Sequence, residues 1–176
     1  MNFSIDYEFS LLEKTARGKD LASDYESHSS DLADIVTLSG RIAVEINGKT
    51  HAADYEEPVV RLVGQWVRKL PWIISGDAET IPFRDSEQCF GFMPAGHGVE
   101  FSQFYGTELE VDEYVIEPVT IRLDKLVGES LLMAEGLLEL IAKIDAGLLR
   151  SDEYCSDLKS DLEEARQAWR DYELHR

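Results

Sequence analysis

Cysteine is scarce in this chain. Cys89 and Cys155 are the only two among 176 residues, and they form neither a disulfide framework nor a C-x-x-C pair. Long apolar runs are also missing, since none approaches the roughly 20 residues that a membrane-spanning helix requires. The opening residues, MNFSIDYEFSLLEK, have neither the basic start nor the apolar segment of a secretory signal. Together these absences predict a cytoplasmic protein with no membrane partner. Positive charge is the third shortage. Seventeen Lys and Arg face thirty-five Asp and Glu, for a net charge of −18. Such a field repels a polyanion and argues against direct nucleic-acid binding through phosphate neutralisation.

The motifs of common chemistries are missing too. The glycine-lysine pairs at Gly18-Lys19 and Gly48-Lys49 lack the upstream glycine of a phosphate-binding loop. No G-x-S-x-G nucleophile elbow occurs. The four histidines, His28, His51, His97 and His175, are dispersed without zinc-ligand spacing. His51 and Asp54, in HAAD, could approach one another, but two surface residues are the simpler reading. No cofactor or metal is implied, and the chain is expected not to be an enzyme.

What is present is a globular composition, 44% apolar and 30% charged, with a change of hydrophobic period along the chain. Phe3, Ile5, Tyr7 and Phe9 alternate with polar residues, the period of a half-buried strand. Residues 18–32, rich in Ser, Asp and Gly, read as a mobile acidic loop. Residues 34–54 return to strand character, and Asn47-Gly48 is a hairpin turn signal. From Pro58, the residues Val59, Val63, Trp66 and Leu70 follow helical spacing, and Pro71 is expected to stop that helix. Residues 72–88 read as a short extended piece followed by a loop.

The stretch CFGFMPAGHGVEF, residues 89–101, holds a cysteine, a histidine and glycines close together. A cysteine nucleophile needs a neighbouring imidazole or positive charge to lower its pKa. Two strands joined by AGHG would instead put Cys89 far from His97, with Glu87 and Glu100 raising the thiol's pKa. The hairpin reading is preferred. A further extended run spans residues 108–123, where Pro118 argues for an edge strand or a bend.

From Asp124 the pattern is helical, with Gly147 as the expected end of that helix. Ser151 is the expected cap of a last helix whose apolar face is Leu158, Leu162, Ala165, Trp169 and Tyr172. The fold class is therefore α+β: a curved antiparallel sheet with one central helix and a C-terminal helical pair packed on it. It forms a single domain over residues 1–176, whose helical C-terminal part covers about 124–175.

Two acidic surfaces are candidates for partner binding. In a strand, Glu108, Glu110 and Asp112 would share one face, and Tyr114 continues that parity. A row of like charge protects an edge strand from aggregation. The same row, with an aromatic residue beside it, provides steering charge and an anchor for a cationic partner. The second surface is Asp157, Asp161 and Glu164 on the polar face of the last helix, with Asp152 and Glu163 nearby; a solvated helix face explains it equally well.

In size, acidity, cytoplasmic character and lack of a catalytic constellation, the chain resembles bacterial immunity proteins that neutralise polymorphic or contact-dependent toxins. That resemblance rests on organisation alone and carries no residue over. It implies a stoichiometric inhibitor of a cognate basic protein, such as a toxin nuclease domain. A general interaction or adaptor module, or a small enzyme using Cys89 or His97, remains an alternative.

Overall fold

The computed structural model describes residues 1–51 and 55–175. The pairing of His51 with Asp54 lies outside the described residues. The chain is α+β, with antiparallel strands curled into a half-barrel and helices packed on it. In order the elements are β1 (Phe3–Ser10), β2 (Thr15–Arg17), α1 (Gly18–Asp24), β3 (Ser39–Ile46), β4 (Lys49–His51), β5 (Glu57–Pro58) and α2 (Val59–Ser75). There follow β6 (Glu79–Pro82), β7 (Gln88–Ala95), β8 (Gly98–Gly106), β9 (Val111–Arg122), α3 (Leu123–Asp145), a helical turn α4 (Leu148–Ser151) and α5 (Glu153–His175). One ladder runs β2-β1-β3-β4, with β5 also paired to β3; the other runs β6-β7-β8-β9.

The alternation in β1 is real but incomplete as a burial pattern. Phe3, Ile5, Tyr7 and Phe9 are buried as expected, and Asp6 and Glu8 on the other parity are buried as well. Glu8 is neutralised from both flanking strands, by Arg17 at 3.2 Å and Arg41 at 2.7 Å. The hairpin at Asn47-Gly48 forms as predicted, with φ of 53° and 80° at the two turn residues. Strand structure starts only at Ser39, however, later than the sequence pattern suggested.

Residues 18–32 are not a loop throughout. Residues 18–24 form α1, a single 3-10 turn covers Glu26–His28, and Leu21 and Leu32 are fully buried. Two leucines among many polar residues anchor the segment, and local composition hides that.

Helix α2 lies at the centre of the molecule. Val59, Val63, Trp66 and Leu70 are buried as their spacing requires, and so are Val60, Leu62 and Val67, because strands and helices cover α2 on several sides. Pro71 does not stop it. The ring removes one N–H from the ladder, yet the helix continues through Ser75, which buries Ile73 and Ile74. Ser75 Oγ donates to the Pro71 carbonyl at 2.9 Å. The stop comes at Gly76, left-handed at φ 90°, where the Gly76 N–H reaches Ile73 O and the Asp77 N–H reaches Trp72 O. Residues 79–82 are the strand β6 and not part of a loop.

Trp66 joins the layers. Its ring contacts Phe90 and Phe92 edge-on, each at a centroid distance of 5.0 Å, and lies 5.9 Å from Phe101. Phe101 in turn meets Phe3 of the first ladder at 6.0 Å. On the opposite side, Trp66 Nε1 donates to Ser130 Oγ of α3 at 2.8 Å, and that hydroxyl donates to Leu126 O at 2.7 Å.

The C-terminal pair packs against α2 and is close to expectation. Leu158, Leu162 and Ala165 are buried, and Trp169 stacks on Tyr172 at 5.3 Å. Two end signals differ. Helix α3 ends at Asp145, and Gly147, at φ −63°, starts the turn α4 in right-handed geometry. Ser151 belongs to that turn, and Asp152 takes the capping role, its Oδ1 accepting the Cys155 N–H at 3.0 Å.

Ser130→Ala would strand a buried indole N–H and should cost about 1–3 kcal/mol. Urea denaturation checks this, and a loss below about 0.5 kcal/mol would mean the bond adds no net stability.

Candidate partner-binding surface

The β8–β9 connection is where the first acidic group sits, and its geometry differs from the single carboxylate row expected. Glu108 and Glu110 are not in a strand. They belong to a turn closed by the Thr107 N–H donating to Glu110 O at 2.8 Å, and Thr107 Oγ1 accepts from the Leu109 and Glu110 N–H groups. Gly106, at φ 129°, admits this turn; a Cβ there would stand 2.2 Å from Glu110 O.

Strand β9 then begins at Val111. Against β8, Val111 faces Gly106, Glu113 faces Tyr105, Tyr114 faces Phe104 and Ile116 faces Gln103. Asp112 and Val115 are therefore extra residues; Asp112 breaks the period-two parity between Glu108 and Tyr114, and Val115 breaks it again just beyond Tyr114. A third irregularity places Glu117 and Pro118 opposite Ser102, between the Phe101–Val119 and Gln103–Ile116 pairs. Strand β9 is a sheet edge, so the position foreseen for Pro118 holds.

What the turn creates instead is an acidic tip with exposed apolar residues. Leu109 is 91% exposed between Glu108 and Glu110, and Val111 and Tyr114 are exposed on the strand that follows. Neighbouring loops join this end. Gly106 N–H donates to Glu87 O at 2.9 Å, which ties the β6–β7 loop to the turn. That loop is held by Glu57, a buried carboxylate that accepts the Arg84 and Asp85 N–H groups and pairs with Arg61 at 3.0 Å. Beside Glu57, Glu56 accepts from Ser10 Oγ at 2.6 Å, at the mouth of the β1–β2 turn, whose Leu12 is 99% exposed. These segments carry exposed carboxylates at Glu13, Glu56, Asp85, Glu87, Glu108, Glu110, Asp112 and Glu113, and cations only at Lys14 and Arg84.

The second acidic surface is largely committed within the fold. Arg68 of α2 donates through Nε to Asp161 at 3.0 Å and through Nη2 to Asp157 at 3.2 Å, which ties α5 to α2. Burial raises the Asp161 carboxyl above the usual carboxylate range, although Arg68 bonds to it. Of the three residues singled out there, Glu164 stays exposed with no ion pair among the described residues. Sequence reading missed the contact because Arg68 lies 93 positions before Asp161.

Cys89 and His97 sit at opposite ends of a hairpin. Cys89 pairs with Phe104, whereas His97 is in the turn beyond the Ala95–Gly98 pair. Cys89 is buried, its Sγ donates to Gly106 O at 3.3 Å, and burial followed by the charge of Glu108 raises its thiol pKa. The acids expected to do this were Glu87 and Glu100; the fold brings up Glu108 instead. Cys155 is fully buried, and burial together with Asp152 pushes its thiol up to about 12. Among the described residues no three His, Cys, Asp or Glu side chains converge as metal ligands, and no helix is long and apolar enough to cross a membrane.

No family model, curated protein or solved structure matches the chain.

Three outcomes are expected. A thiol reagent at pH 8 should label neither cysteine in the native protein and both after denaturation, because both thiols are buried with raised pKa values. Asp161→Lys, which sets a cation beside Arg68, should cost about 1–2 kcal/mol in urea unfolding. Glu164→Lys should stay within about 0.5 kcal/mol of wild type.

Proposed function

We propose that this chain is a cytoplasmic acidic binding protein that neutralises a cognate basic toxin, such as a nuclease domain, by stoichiometric occlusion. The observation that carries the reading is Leu109, held out into solvent on a hydrogen-bonded turn between two carboxylates. An apolar side chain in that position gains little from water and much from a partner's pocket. The surrounding carboxylates raise the encounter rate with a cation-rich surface, while desolvation of Leu109, Val111 and Tyr114 slows dissociation. Three irregularities and Pro118 along β9 disfavour pairing with a partner strand, so recognition runs through side chains at the tip.

The roles of the residues differ in this scheme. Glu108, Glu110 and Asp112 steer, Tyr114 and Leu109 anchor, and Glu164 is an outlying contributor. Asp157 and Asp161 serve the fold through Arg68. An adaptor with several partners is the competing reading, favoured by the same charge but not by an anchored apolar tip.

The test captures partners on immobilised wild-type protein beside Leu109→Ala and a Glu108→Lys/Glu110→Lys/Asp112→Lys variant. The expected result is one basic partner bound one to one, toxic when expressed alone and harmless with this chain present. Leu109→Ala should speed dissociation at least tenfold, about 1.4 kcal/mol. The charge-reversed variant should slow association and flatten its salt dependence. A diffuse set of partners insensitive to both variants would favour the adaptor, and no partner at all would remove the reading.

A further inference from the structure

A cavity of about 390 Å³ opens between β1, α1 and α3, away from the acidic tip. That is within the roughly 300–1,000 Å³ range of small-ligand pockets. Its walls are mainly apolar, from Ile5, Tyr7, Leu132 and Met133, and Gly18 and Gly136 contribute bare backbone. Leu132 is exposed at the rim and Met133 is buried. A Cβ at Gly136 would meet no atom within 4 Å, so α3 leaves open space there.

Asp6 lines this cavity with only 8% of its surface exposed. It is unlike the other buried acids. Glu8 has two arginines and Glu57 has Arg61, whereas Asp6 makes no ion pair among the described residues. Its Oδ2 accepts the Lys19 backbone N–H at 3.0 Å, which caps the start of α1. The Lys19 side chain lines the cavity too, and the charges of Lys19 and Arg17 act on Asp6 without a contact ion pair among the described residues. Gly18 lets the carboxylate and the Tyr7 ring close on the backbone, since a Cβ there would lie 2.5 Å from both. Burial is the main reason the Asp6 carboxyl titrates above its ordinary value. Burial raises the Tyr7 phenol, and the charges of Asp6 and Glu139 raise it further. Glu129, on the same wall, already has Lys125 at 2.7 Å.

A buried carboxylate without a contact ion pair is costly, and a cation delivered with its own apolar stem would offset that cost. We propose that this cavity binds a small organic cation, a primary ammonium on an apolar stem. The ammonium would lie against Asp6, with the stem along Ile5, Leu132 and Met133 toward Gly136. The site does not depend on the partner-binding reading, because it uses none of the residues of the acidic tip.

The experiment is a titration of the full-length chain at pH 7 and low salt with cyclohexylammonium, 2-phenylethylammonium and the neutral 2-phenylethanol, followed by amide NMR. The ammonium ions should shift the resonances of residues 5–7, 18–19 and 132–136 with Kd at or below about 1 mM. The alcohol should bind at least tenfold more weakly. Asp6→Asn keeps an acceptor for the Lys19 N–H and removes the charge, so it should fold and lose at least tenfold in ammonium affinity. Gly136→Leu, whose Cβ meets no atom within 4 Å, extends into the open space and should abolish binding while leaving the fold intact; it carries the test alone if Asp6→Asn does not fold. The proposal is overturned if the ammonium ions leave those resonances unmoved, if alcohol and ammonium bind alike, or if Gly136→Leu binds as wild type does.

Discussion

The edge-on contacts of Trp66 with the phenylalanines of β7 are the constraint on which the other layers depend. One side chain on the central helix touches Phe90, Phe92 and Phe101 and hydrogen-bonds to Ser130 of α3. An indole is large and apolar but keeps one obligatory donor, so its burial requires both an aromatic bed and an acceptor at a set distance. The bed requires the β7–β8 register that puts Phe92 opposite Phe101. The acceptor requires α3 to cross α2 where Ser130 faces it. Sheet, central helix and C-terminal pair are thus positioned around one residue.

Buried acids show how the fold manages its excess of negative charge. Glu8 bridges β2 and β3 through two arginines, and Glu57 holds a distant loop by its backbone N–H groups and pairs with Arg61. Each removes a carboxylate from the mutual repulsion that a net charge of −18 imposes. Arg68 does the same at the α2–α5 contact, where two aspartates share one guanidinium. Asp6 stands apart because it is held by backbone N–H groups and by the charges of Lys19 and Arg17, with no contact ion pair among the described residues.

The repulsion left over is concentrated where the loops of both ladders meet. There the turn after Gly106 presents Leu109 among carboxylates, ahead of the irregular strand β9. A regular strand would have protected its edge with charge and offered no apolar anchor.

Amino-acid order alone determined the elements whose signals are local. The alternation of Phe3 to Phe9, the Asn47-Gly48 turn, the helical spacing from Val59 to Leu70, the hairpin around His97 and the apolar face of α5 all form as their patterns require. These are properties of backbone geometry and side-chain period within one element. Tertiary structure decided the rest. Pro71 sits inside a helix because burial of Ile73 and Ile74 lies beyond it, and α1 forms because Leu21 finds a core. Glu108 and Glu110 leave the strand because β8 ends at Gly106, and Asp157 and Asp161 are claimed by an arginine far away in sequence. In each case the deciding partner comes from another element, and no local period records which residue will stand across the contact.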